Sequence, residues 1–168
     1  MKSLFKLLFA AFLTVAPLTA NAQSNVAHIN VQQLISEMPE VIAAQNELAK
    51  LEKDYTTQID NAFKEFQTKA QSYSSDAANQ TDVTNQARQK ELESMQTNLQ
   101  EFRDSAAQEL QKKQMDLMTP LLEKARNAIT KVGEEQGFNY VIDSSPNGGI
   151  ILANGKDLLA DVKKELGF

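Results

Sequence analysis

The sequence predicts a mainly α-helical protein with a small β body: a long antiparallel helical hairpin, or coiled-coil arm, attached to a small β-sheet oligomerisation module formed by both chain ends. Three observations predict it. Over two long stretches the apolar residues recur at alternating steps of three and four, the rhythm of a narrow seam along a helix. The break between them, Ser74 to Asp82, is small and polar. Strand-like alternation and most of the glycine gather near the C-terminus, where Gly137 to Gly155 reads GFNYVIDSSPNGGIILANG.

The first residues stand apart from the fold. Lys2 and Lys6 precede an apolar run, Leu4 to Val15, and Ala20-Asn21-Ala22 supplies a small-x-small cleavage pattern. Residues 1–22 therefore read as a signal peptide cut after Ala22. A membrane anchor would need about 20 apolar residues. Without Lys2 and Lys6 the chain carries 15 basic and 22 acidic side chains. That balance argues against nucleic acid, whose binding rests on phosphate neutralisation by Lys and Arg. There is no cysteine, so an exported chain must find its stability in packing or oligomerisation.

Ser24 to Val31 alternates as a strand, with Val26, His28 and Asn30 on one face and Ala27, Ile29 and Val31 on the other. Asn30 can cap the helical turn VQQLISE, which stops before Pro39, itself suited to the first turn of the next helix. From there to about Tyr73 the seam is Val41, Ala44, Leu48, Leu51, Tyr55, Ala62, Phe66, Ala70 and Tyr73, with Ile59 or Gln58 in the gap. The second seam runs Leu92, Met95, Leu99, Phe102, Ala106, Leu110, Leu117, Leu121, Ala125, Ala128 and Val132. Glycines at 133 and 137 end it. At about 1.5 Å per residue these helices are roughly 50 and 75 Å long and must pair seam to seam. A tip near residue 79 sets Pro39 opposite Pro120, so both are hinge candidates at the base of the arm. Below Pro120, Met115, Met118, Leu122 and Ile129 add a second apolar stripe.

The body is expected at 23–38 and 133–168, with the arm at 39–132. FNYVID alternates, with Phe138, Tyr140 and Ile142 on one face. GIILA (Gly149 to Ala153) is expected to be its partner in a hairpin. DLLADVKKEL then reads as a short amphipathic helix begun by Asp157, with Leu158, Leu159, Val162 and Leu166 on one side. So small a unit buries little surface and leaves strand edges open, which points to self-association through the sheet. The candidates for that surface are Val26, Ile29, Phe138, Tyr140, Ile142, Ile150 and Leu152.

A leader, then VAHINVQQLISEMPEV, a long helical hairpin and GFNYVIDSS…GGIILANGKDLLADVKKEL resembles the Skp (OmpH-like) family of periplasmic chaperones along the whole chain after the leader. The resemblance implies a homotrimer in which a β-rich body joins three helical arms around a cavity. Unfolded outer-membrane proteins are held there without ATP, in the periplasm. The best-known relatives are strongly basic, whereas residues 40–132 here carry 12 basic and 15 acidic side chains. This departure puts membrane or lipopolysaccharide contact in doubt.

The sequence offers little to an enzyme. Its single histidine, His28, has no evident catalytic partner, and no phosphate loop, H-E-x-x-H or G-x-S-x-G pattern occurs. No catalytic residue, cofactor or metal is expected. The candidates for binding a client chain are Phe63, Phe66, Tyr55 and Tyr73. Phe63 lies off the seam, while Phe102 and Met95 read as closing the arm's own seam. Met and aromatics supply adaptable contacts, individually weak. The competing reading is a structural or adaptor coiled coil of the envelope that binds one folded partner.

Overall fold

A computed structural model describes residues 25–146 and 148–168. The expected signal peptide, Ser24 and Asn147 lie outside the described residues. In chain order the elements are β1 (Val26–Ile29), α1 (Val31–Glu37), α2 (Pro39–Asp76), a 3₁₀ turn (Ala77–Asn79), α3 (Asp82–Glu135), β2 (Tyr140–Asp143), β3 (Lys156–Asp157) and α4 (Leu159–Leu166).

Local chemistry sets these boundaries. Asn30 accepts a 2.9 Å hydrogen bond from the Gln33 N–H and opens α1. Met38, extended and fully buried, makes the corner, and Pro39 begins α2 where its missing N–H leaves nothing unsatisfied. Thr81 caps α3 through the Thr84 N–H. With 38 and 54 residues, α2 and α3 extend about 57 and 81 Å. They pack antiparallel, as the seams predict.

The end of α3 differs from the sequence expectation. The helix runs through Gly133 to Glu135. Gly133 is a point of close approach instead, because a Cβ there would lie 2.8 Å from Val141 Cγ2 on β2. Gly137 is the true terminator. It adopts φ 74°, its N–H bonds to Glu134 and that of Phe138 to Gly133, the double bond of a Schellman end.

The expected hairpin does not form. Residues 149–153 join no strand, and β2 pairs in parallel with β1 (Val26 opposite Tyr140, Ile29 opposite Asp143). Lys156–Asp157 pairs with the other edge of β1, also in parallel, giving the order β2-β1-β3. Both ends of the chain do contribute strands, as expected. The physical reason for the difference lies at Asp143 and Ser145. The Asp143 carboxylate accepts the Val31 N–H, while Ser145 Oγ accepts the Gln32 N–H at 3.0 Å and donates to Asp143 at 2.6 Å. Ser145 Oγ also lies 3.1 Å from the Asn30 side-chain oxygen. The chain leaving β2 is thus committed to satisfying the first amides of α1, and it cannot turn back at once as a hairpin.

Burial pushes the Asp143 carboxyl up, but hydrogen bonds from Ser145 and the Val31 amide outweigh it and hold the group below the ordinary aspartate range. A carboxyl lowered on folding stabilises the fold above its unfolded value, and that contribution is lost as pH falls through the folded one. Ser145→Ala leaves the Gln32 amide without its partner and is expected to lower stability by about 1 kcal/mol in urea unfolding at neutral pH. Asp143→Asn removes part of the acid sensitivity, so its unfolding midpoint falls less than the wild-type's on acidification.

The core sits where the sheet, the helix ends and the base of the arm meet. Ala27, Ile29, Leu34, Met38, Val41, Ala125, Ala128, Val132, Leu158 and Val162 are its buried members. Asp157 accepts the Leu159 N–H at the start of α4, as its position predicts. The second stripe of α3 is divided. Met118 and Ile129 pack on the core, whereas Met115 is exposed and Leu122 lines an open hollow.

Candidate functional site

Two surfaces of the folded chain could bind another polypeptide: the arm and the outer side of the body. Polar bridges link the arm helices along one side. Lys124 pairs with Glu40, Lys113 with Glu47 at 2.8 Å, Lys69 with Glu91 at 2.5 Å and Arg88 with Asp76 at 3.1 Å. Pairing with Lys124 holds the Glu40 carboxyl below its usual range, and Lys69 followed by Tyr73 does the same for Glu91. These pairs are half-exposed and partly screened by salt, so their part is to set register more than to add stability. They place Pro120 level with the first turn of α2, and hence close to Pro39. Pro120 lies inside an otherwise continuous α3, where its ring takes away the N–H due to the Asp116 carbonyl. Pro39 instead stands at the α1–α2 corner.

The four aromatic candidates separate into two kinds. Tyr55 packs edge-on against Phe102, with centroids 6.0 Å apart, and its hydroxyl donates to Glu109. Tyr73 donates to Glu91 at 2.6 Å and lies under the Arg88 guanidinium, 4.6 Å from its ring centre. Both tyrosines join the arm to itself. Hydrogen bonding to Glu109 and Glu91 respectively raises their hydroxyl pKa values, so both remain donors at neutral pH. Phe66 is half-buried in the seam, and Phe63 stacks on it, centroids 6.5 Å apart, with 39% of its surface open. Of the four, Phe63 is the one turned outward.

The candidates on the body also divide. Ile29 is 1% exposed and belongs to the protomer's own core. Val26 and Phe138 are half-buried, Phe138 packing against that core. Tyr140 is 63% exposed on β2, whose outer edge has no partner strand among the described residues, and Ile142 is exposed beside it. Ile150 and Leu152 are exposed as well. Ile151, not singled out from the sequence, is fully so. Three consecutive large aliphatic residues open to solvent form the strongest apolar feature of the surface among the described residues. An alternation pattern missed Ile151 because it assigns every second residue to one face, and this segment has no faces.

A hollow of about 550 Å³ runs between α1, the last third of α3 and β2, lined by Val31, Ile35, Leu122, Ile129, Phe138 and Tyr140 among others. His28, at the centre of the sheet, has its Nδ1 3.1 Å from Ser144 Oγ. Among the described residues no three His, Asp or Glu side chains gather as metal ligands.

The family model of OmpH, outer membrane protein (OmpH-like), matches residues 25–166. The chain belongs to the OmpH-like family. Two proteins named chaperone protein Skp resemble it along nearly their whole length. The one from Yersinia enterocolitica is 28% identical over 169 residues, 96% of this chain and 98% of that protein. The one from Pectobacterium atrosepticum is 20% identical over 151 residues, 90% of each. A solved OmpH-like structure from Caulobacter crescentus CB15, described as an outer membrane chaperone, matches in fold. Its TM-score is 0.77 at 12% identity, covering 86% of this chain and 85% of that one. The OmpH-like match spans both the body and the arm, so the motifs at the two chain ends and the seam between them belong to one family pattern.

Proposed function

We propose that this OmpH-like chain is an ATP-independent holdase chaperone of the periplasm. It takes unfolded outer-membrane proteins into a space between helical arms and keeps them from aggregating. The single observation that carries the reading is the family match over residues 25–166, within which both Skp relatives are named chaperones. The leader pattern at residues 1–22 supports export. The outer edge of β2, unpaired among the described residues, and the exposed Ile150–Leu152 segment each support self-association of bodies into a homotrimer, since an open strand edge is a template for another chain and an exposed aliphatic run favours burial.

Release in this scheme needs no fuel. Client contacts are dispersed and individually weak, so the client leaves when its own folding in the membrane is more favourable. The test is dilution of a denatured outer-membrane barrel protein into buffer without nucleotide. Stoichiometric amounts of the chain are expected to suppress light scattering. Unchanged scattering rejects the holdase and favours an adaptor that binds one folded partner.

Pro120 is assigned the role of a flexion point, with Pro39 as the fixed corner below it. Pro120→Ala restores the missing hydrogen bond and is expected to stiffen the arm. Capture of large clients should fall while capture of small ones persists, measured by co-elution across a size series. Equal capture of all sizes removes the hinge from the mechanism.

A further inference from the structure

The two broad sides of the arm differ in chemistry. Successive residues turn by about 100° around a helix, which places Glu40, Glu47, Asp54, Glu65 and Asp76 along one flank of α2. Three of these reach Lys124, Lys113 and Arg88 on α3. This side is therefore charged, and much of its charge is already paired within the arm. The opposite flank of α2 carries Gln45, Thr56, Phe63 and Gln67, and the α3 flank beside it carries Gln96 and Gln114. All six are exposed. The charges nearest this flank are Glu52 and Asp60 on α2 and Arg103 on α3, sparse beside the other side and of both signs.

At its base this side continues into the body. Val31 and Ile35 line two adjoining hollows, one reaching Gln45 and Asp143 and the other Leu122, Tyr140 and the opposite charges Arg126 and Glu134. The charged side has its own hollow, among Glu47, Asp54, Glu109, Lys113 and Asp116.

An unfolded chain brings apolar side chains and unpaired backbone N–H and C=O groups. Laying it on the charged side would strip water from ion pairs, a penalty the new contacts would have to overcome. Glutamine amides both donate and accept, so they meet either backbone group without burying charge. Phe63 adds apolar area among them. We propose that the uncharged Gln/Thr/Phe63 side of the arm is the one turned to the client, and that it holds extended, apolar, uncharged segments partly through their backbones. The charged side then faces solvent. This rests on the holdase reading and adds to it a face and a client chemistry. It also explains how an acidic arm can hold clients without the basic residues of its best-known relatives.

The test places a photo-crosslinking residue in the full chain, at Thr56, Gln67 or Gln96 on one side and at Asp54, Glu65 or Asp116 on the other. The probe is a denatured outer-membrane barrel protein. Crosslink yields at the first three positions are expected to exceed those at the second three by roughly tenfold, and capture to be unchanged between low salt and about 0.5 M, where surface charges are screened. Equal yields on both sides, yields favouring the charged side, or capture that collapses with salt would overturn the assignment of the face while aggregation is still suppressed. No crosslink anywhere, with aggregation unsuppressed, would remove the holdase reading and this inference with it.

Discussion

Replacing Ile151 and Leu152 together by Asp is expected to abolish the proposed self-association while leaving each protomer folded. Both side chains are exposed, Ile151 fully and Leu152 by 75%, so neither contributes to the protomer's own core. In the proposed trimer they are covered. Burial of each is worth about 1.5–3 kcal/mol, and a buried, unpaired carboxylate opposes assembly further. Losing even the lower sum weakens association by at least about a hundredfold, at 1.4 kcal/mol per factor of ten. Native mass should fall to the protomer with the helical circular dichroism retained. Val83→Asp is the control: that residue is exposed near the arm tip, far from the body, and its variant should keep the wild-type mass. If the Ile151/Leu152 variant also keeps that mass, the assembly surface lies elsewhere.

Leu34→Ala destabilises the body by about 2–5 kcal/mol, the range for emptying a filled core site. Leu34 has no exposed surface and lies in the cluster that joins β1, α1, the base of α2 and α3, and α4. The cavity opens where five elements meet, and so small a core has little capacity to collapse around it. Urea unfolding at a fixed protomer concentration measures the loss, since association would otherwise shift the midpoint. A change below 0.5 kcal/mol, the ordinary scatter of surface substitutions, would contradict the described core.

The arm was legible in the sequence because a helical seam is a local signal. Nine positions from Val41 to Tyr73 repeat one rhythm, and Asn30, Pro39 and Asp157 mark their helix starts by chemistry confined to a few residues. The sheet was legible only in part. VAHI and YVID could be recognised as strands, but their pairing is settled by residues more than a hundred positions apart. Asp143 and Ser145 reach back to Val31 and Gln32, and no periodicity reveals a cap supplied from elsewhere in the chain. The Pro-Asn-Gly-Gly run suggested a tight hairpin, yet residues 149–153 join no strand. Gly133 misled for a similar reason. A glycine near a helix end reads as a terminator, whereas here it admits Val141 against the helix.

The binding candidates show the same division. Phe63 could be placed outside the seam from its spacing. Tyr55 and Tyr73 could not be assigned to the arm's own closure, because their partners Glu109 and Glu91 are fixed by the cross-helix register. The uncharged side of the arm emerges when that register is known, since only then do the flanks of α2 and α3 become common faces.

The central claim is that three copies of this chain form a cage for one unfolded client. Native mass spectrometry of residues 23–168, alone and after dilution of a denatured outer-membrane barrel protein, tests it most directly. The account predicts a trimer that takes up the client as a discrete complex. A trimer that ignores the client would contradict the chaperone reading, and a monomer or dimer would contradict the assembly on which the cage depends.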